Sequence, residues 1–259
     1  MHLLLLGYSL DGKCDNMNNE LDEISLLLLE AHTVGSEAIG NNSNPCSLCN
    51  EHSNELHFHG SDLNSCARMV YWNKINGKQE QFFVSMQYLL DGHMFESSMM
   101  RSIKAGLPND WKVKVFENGN EQVDNLGMFK LVCHYDAMLI DPSGNGFILE
   151  CKAVKPKYFK EFKEKREVRP EWYGQIQSYM LVSKTDVGYF LIKNRENSDL
   201  LMPIKVEKDM KFIANRLTIL SDIASRIKMN FNTPPEMEYK DKKCFSCTFC
   251  SYRKVCYGE

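Results

Sequence analysis

The sequence predicts an α/β fold, a central mixed β-sheet flanked by helices. Three observations predict it. Apolar residues recur at helical spacing, then at strand spacing, then at helical spacing again along the chain. The turn Pro142-Ser143-Gly144-Asn145-Gly146 separates two apolar runs, as in a hairpin. Charged residues make up 25% and hydrophobic ones 43% of 259 residues, which suits a folded globular chain and excludes wholesale disorder.

Taken in order, a helix is expected from about Glu20 to Thr33, followed by the polar loop Gly40-Asn41-Asn42-Ser43-Asn44-Pro45. A long helix is expected over Glu80–Lys104, where Phe82, Phe83, Met86, Leu89, Leu90 and Met94 recur at three- and four-residue steps. Lys112–Phe116 alternates as a strand. Met128–Ile140 reads as one strand with His134, Asp136 and Met138 on one face, and Phe147–Val154 as its hairpin partner. A basic segment, Lys155–Arg169, comes next. Then follow a helix at about Pro170–Ser183, a strand at Val187–Lys193 and an amphipathic helix at Asp209–Met229.

With 31 Lys and Arg against 34 Asp and Glu, the net charge is −3. That excludes a uniformly basic nucleic-acid coat and leaves only a local patch for such a partner. The apolar start Leu3–Leu6 is shorter than a secretory h-region of about 7–15 residues or a span of about 20. No membrane association and a cytoplasmic location are therefore expected. There, thiols stay reduced, and ten cysteines read as metal ligands or core residues instead of disulfides.

The chemistry concentrates in Asp136 … Glu150-Cys151-Lys152. Glu150 and Lys152 share a strand face, and the hairpin brings Asp136 beside them. Two carboxylates meeting there can hold a divalent cation, and a lysine can orient water or stabilise charge on phosphoryl oxygens. Glu-x-Lys is common on solvated strand faces. Here Ile148, Leu149, Ala153 and Val154 make the strand largely buried, where charges are costly without a task.

These residues resemble the PD-(D/E)xK nuclease superfamily, specifically the RecB-like exonucleases of bacteria and phages, including the CRISPR-associated branch. Gln175-Ile176-Gln177-Ser178-Tyr179 is similar to the family's Q-x-x-x-Y motif, and Gln175 and Tyr179 share a helix face. Asp91-Gly92-His93-Met94-Phe95-Glu96 resembles its first helical motif, with either His93 or Glu96 as metal ligand. A carboxylate suits Mg²⁺ or Mn²⁺ better, which favours Glu96. The resemblance implies a restriction-endonuclease-like core and metal-dependent cleavage of single-stranded DNA or DNA ends, with 5′→3′ polarity as one option. Glu96, Asp136, Glu150 and the Cys151 carbonyl would bind Mg²⁺ or Mn²⁺. Lys152 would assist the water, and Gln175 and Tyr179 would position DNA. DNA is the expected partner, with recombination, repair or CRISPR-adaptation proteins as further ones. The competing function is a catalytically silent or partner-dependent DNA-binding or end-processing subunit.

Cys66 with Cys247-x₂-Cys250-x₅-Cys256 resembles the 1+3 cysteine arrangement of CRISPR-associated and AddB-type nucleases. It implies a 4Fe–4S cluster stapling a helical and loop subdomain to the core; zinc would satisfy the same thiolates. The implied organisation is an N-terminal region at 1–58, a nuclease core at 59–243, and a cysteine segment at 244–259 packing back on Cys66. Cys46-x₂-Cys49, with His52, His57, His59 and Cys244, has the spacing of a separate zinc site, although such pairs recur by chance. Cys133 and Cys151 read as buried strand residues, and Cys14 has no assignment. In Lys155–Arg169, seven basic residues outnumber three acidic ones, with Tyr158, Phe159 and Phe162 between them. That pattern reads as a phosphate-tracking rim with rings for base stacking, Lys155 and Lys157 nearest the site, against the alternative of a solvated helix face.

Overall fold

The computed structural model describes residues 22–28, 56–76, 84–115, 122–197, 199, 203–239, 245–248 and 250–258, with backbone alone at 84–91, 93, 122, 245 and 246. Cys14, Cys46, Cys49, His52 and Cys244, and with them the separate zinc site, lie outside the described residues.

The centre is a five-stranded mixed sheet of order β2-β5-β6-β7-β8. Its strands are β2 (Lys112–Val115), β5 (Ala137–Ile140), β6 (Gly146–Val154), β7 (Val187–Asn194) and β8 (Ile204–Glu207). The β5–β6 hairpin is antiparallel, with Ala137 opposite Leu149 and Ile140 opposite Gly146. β6 and β7 are parallel. A parallel pair needs a crossover, supplied by α4 (Pro156–Lys165) and α5 (Pro170–Ser183). Each of these helices starts with Pro at its first turn, where the missing N–H costs nothing. Each is followed by a left-handed residue, Arg166 or Lys184.

A second sheet of order β1-β4-β3 is formed by β1 (His57–His59), β3 (Gln122–Asn125) and β4 (Lys130–Cys133). Here the structure corrects the expectation of one strand over Met128–Ile140. The stretch is cut at residues 134–136 because β4 pairs with β1 and β3, whereas β5 pairs with β2 and β6. Asp136 sits at that break and not within a continuous strand.

Two apolar layers hold the sheets. On one face of the large sheet, Phe95, Met99, Met100 and Ile103 of α3 (Val84–Gly106), with Leu28 of α1 (23–28), pack on Ala137, Leu139, Leu149, Cys151, Tyr189 and Leu191. On the other, Ile148, Phe190 and Ile192 meet Ile176 and Met180 of α5 and Leu220 and Ile223 of α6 (Met210–Lys228). The small sheet and α2 (Ala67–Asn76) join this second layer through Phe58, Leu131 and Tyr71. At full burial each such side chain contributes roughly 1.5–3 kcal/mol, so the layers fix α5 firmly over β6.

The packing of α5 depends on glycines. A Cβ on Gly174 would lie 2.2 Å from Asn64 Cβ, and one on Gly60 would lie 2.6 Å from Tyr179 Cε1. The fully buried Gln177 is satisfied by Glu207 O and Asp209 N, both at 2.8 Å, which ties α5 to the start of α6. The short helices α7 (Phe245–Thr248) and α8 (Arg253–Tyr257) end the described chain. Among the described residues, no helix is long and apolar enough to cross a membrane.

Candidate active site

The two-residue period of β6 divides its side chains by face. Phe147, Leu149, Cys151 and Ala153 go to the α3 layer, while Ile148 and Val154 go to the α5 layer. Glu150 and Lys152 fall on the α5 side, under Gln175. Lys152 Nζ donates to Glu150 Oε1 at 2.5 Å and to Gln175 Oε1 at 3.2 Å. Gln175 Nε2 donates in turn to the Tyr179 hydroxyl at 2.5 Å. Gln175 and Tyr179 meet because residues four apart share a helix face. Tyr179, 2% exposed, packs near Tyr135 with ring centres 5.8 Å apart. Of the two glutamines in Gln175-Ile176-Gln177, the first faces β6 and the second holds α6.

Asp136 reaches the same place from the strand break. Its Oδ2 accepts the Cys151 N–H at 2.5 Å, so the carboxylate occupies a backbone position beside Glu150. Glu150 itself is 2% exposed, and its second oxygen, Oε2, is buried with no hydrogen-bond partner.

The electrostatics follow from burial. Burial pushes the Asp136 carboxyl well above its usual range; the charges of Glu150 and Glu96 add to this, and Lys152 and the Cys151 N–H only partly offset it. Burial also raises Glu150, with Lys152 opposing and Glu96 adding. Burial works against the Lys152 ammonium, but Glu150 and Asp136 together outweigh it and hold its pKa above the ordinary lysine value. Glu96, half-buried on α3, thus acts on both carboxyls. The side chain of His93 lies outside the described residues. Lys155 and Lys157 are exposed where α4 begins.

Cys66, Cys247, Cys250 and Cys256 line one cavity of about 250 Å³. Burial raises the Cys66 thiol, with Glu238 and Cys250 adding and the Met69 and Arg68 amides opposing. None of the four is in a disulfide, and Cys247 Sγ is 3.4 Å from the Tyr257 hydroxyl. Among the described residues, no three His, Cys, Asp or Glu side chains are gathered at metal-ligand spacing, either in this cavity or around Asp136.

Sequence reasoning missed the surroundings of the lysine. Trp172 stands beside Lys152, with Nζ 5.6 Å from the ring centre. No spacing rule picks one tryptophan out of a helix start. The expectation of rings free for base stacking is corrected for two of the three aromatic residues in the basic segment. Phe159 and Phe162 are 8% and 4% exposed because α4 turns them into the core.

No protein-family model matches the chain, and no curated protein matches it significantly. Solved structures similar to it include an alkaline exonuclease (LHK-Exo) from Laribacter hongkongensis, 14% identical, covering 67% of this chain and 89% of that one, with a TM-score of 0.48. The protein SSO0001 is 16% identical over 91% of this chain and 96% of that one, with a TM-score of 0.47. A phage related exonuclease from Haemophilus somnus 129PT is 12% identical over 69% and 97%, with a TM-score of 0.44. At such identities and TM-scores the likenesses carry no weight, and the site is read from its own geometry.

Proposed function

We propose that the chain is a divalent-metal-dependent DNA exonuclease of the PD-(D/E)xK, RecB-like type, hydrolysing phosphodiester bonds in single-stranded DNA or at DNA ends. One observation carries this: the buried Glu150 Oε2, without a partner, beside Asp136 and on the same carboxylate whose other oxygen is taken by Lys152. A buried unpartnered carboxylate oxygen is costly, and a second carboxyl beside it makes matters worse unless a cation joins them. Asp136, Glu150, Glu96 and the Cys151 carbonyl would supply only oxygen donors, the chemistry that suits Mg²⁺ or Mn²⁺, once drawn together by the ion. When bound, the ion supplies a Lewis acid for the phosphoryl oxygens and a more acidic water.

The chain's own residues do the rest. Glu150 Oε1 and Gln175 Oε1 hold the Lys152 ammonium on the α5 side of β6, where it meets the charge developing on the phosphoryl group. With its pKa held high, Lys152 acts as a cation and hydrogen-bond donor, not as a base. Tyr179, buried, fixes the Gln175 amide and acts on DNA only through it.

In this reading, residues 59–243 form the nuclease core, and 244–259 bring three cysteines to Cys66. Four cysteines outside any disulfide, lining one cavity, would suit a 4Fe–4S cluster, with zinc the competing occupant. Brown colour and visible absorbance in anaerobically purified protein, lost in Cys250→Ser, would support the cluster. A colourless, zinc-loaded protein would overturn it.

The function is tested with 5′- and 3′-labelled single- and double-stranded DNA in Mg²⁺, Mn²⁺ or EDTA. A metal-dependent product ladder is expected, absent in Lys152→Ala with unchanged circular dichroism. Cleavage retained by that variant would overturn the site. DNA bound without degradation by the wild type would favour the silent or partner-dependent subunit.

A further inference from the structure

Lys155–Arg169 looked like a uniform basic rim, but the structure gives its members different work. Lys160 and Lys165 pair along α4 with Glu164 and Glu161. Arg166 ends α4, and its Nη2 donates to Pro203 O at 2.9 Å. Arg169, the residue before α5, instead lies on aromatic rings. Its Cζ is 4.2 Å from the Tyr158 centroid, 5.2 Å from Trp172 and 5.8 Å from Phe162. Phe162 stacks on Trp172 at 5.2 Å, and Trp172 backs onto Phe190 of the sheet at 6.1 Å, so this bed is anchored in the core.

An arginine seated on ring faces keeps the edge of its planar guanidinium open, and that fork matches a phosphate bidentately. Lys152 Nζ lies 5.6 Å from the centre of the same Trp172 ring that Arg169 covers. The two cations therefore flank one ring, close enough to meet neighbouring phosphates of a single strand. Phe162 is buried, and Trp172 is flanked by Phe162, Arg169 and Lys152.

We propose that Arg169 is a phosphate clamp: its guanidinium grips the DNA phosphate next to the one attended by Lys152 and so sets the register of the strand in the site. This inference rests on the nuclease reading above and adds a subsite to it. The rings of Tyr158 and Trp172 position the clamp.

The test compares wild type, Arg169→Gln and Arg169→Lys, with melting curves confirming that each folds. Binding of fluorescent single-stranded DNA is measured in EDTA across a salt series. Arg169→Gln is expected to bind roughly tenfold or more weakly. The slope of log K against log salt should become shallower by about 0.7, the loss of one single-strand phosphate contact. In Mg²⁺, KM should rise while kcat stays within about twofold, because the contact exists in both ground and transition states. Arg169→Lys should keep the slope but not the affinity, since it retains the charge and loses the fork. A wild-type slope in Arg169→Gln, with or without weaker binding, would reduce Arg169 to a structural role and overturn the clamp. Wild-type protein that neither binds nor cuts DNA would instead sink the nuclease reading, and the clamp with it.

Discussion

At Glu150 the two carboxylate oxygens live in different surroundings, one against the Lys152 ammonium and one buried with no partner. Its protonation is therefore tied to stability. Asp136 and Glu150 are both raised above their ordinary values of 3.8 and 4.5, chiefly by burial, with Glu96 adding and Lys152 opposing. The folded chain then binds more protons than the unfolded one. Their contribution is fully present below about pH 4 and is lost as pH rises through the raised values. Without metal, the melting temperature is expected to fall across that window; Asp136→Asn should flatten the fall, and Mg²⁺ should recover the loss near neutrality. Parallel wild-type and Asp136→Asn curves would contradict this. The nearness of Glu150, Lys152 and Gln175 was legible in the sequence because a strand's period of two and a helix's four-residue step place side chains by number alone, whereas Asp136 is held from the strand break by the Cys151 N–H. Arg169 was not legible, since its place depends on where Tyr158, Phe162 and Trp172 converge after two helices have docked.

Between elements, α5 carries the greatest demand for fit. Gly174 lets it approach Asn64 so closely that Asn64 Nδ2 donates to Pro170 O at 2.7 Å. Gly174→Ala is expected to cost about 1–3 kcal/mol by overpacking. It should also lower cleavage beyond that loss, since moving α5 moves Gln175 off Lys152. Urea midpoints beside initial rates would separate the two effects, and a variant as stable and active as wild type would show the contact to be soft. Long elements such as α3, β6, α5, β7 and α6 could be read from periodicity. β1, β3 and β8 were not read, three- and four-residue strands carrying little periodic signal. In α2, Val70, Tyr71 and Trp72 run consecutively, so no helical stripe marks it. The break at residues 134–136 was hidden because both flanking strands are apolar, and only their partners separate them.

Across the whole molecule, Arg216 of α6 ties the region near Cys66 to the C-terminal part of the chain. Nε donates to Leu63 O at 2.7 Å, Nη2 to Ser65 O at 2.9 Å and Nη1 to Glu238 Oε1 at 3.0 Å. Glu238 Oε2 also accepts the Ala67 N–H at 2.8 Å, and Trp72 stacks on Tyr252 at 6.5 Å. Arg216→Ala leaves these acceptors without their donor, an expected loss of about 2–4 kcal/mol, since hydrogen bonds to charged groups are the strong ones. Chemical denaturation reads it directly; a loss below about 0.5 kcal/mol, the range of an ordinary surface substitution, would contradict the tie. The cysteine spacing grouped Cys66, Cys247, Cys250 and Cys256 in the sequence, and the four line one cavity. The Arg216–Glu238 tie did not announce itself, because its partners are backbone carbonyls and one glutamate far along the chain.

The hydrogen bond from the Cys151 amide to Asp136 turns one backbone proton into an indicator of the site's charge. Most amides in the sheet point at carbonyls, whose charge is constant, but this one points at a carboxyl that can be ionised or protonated and that the proposed function has bind a cation. Its chemical shift should therefore move with pH and with added Mg²⁺ while those of neighbouring sheet amides stay still. A single ¹⁵N-labelled cysteine resonance could then follow the occupancy of the site with no substrate present.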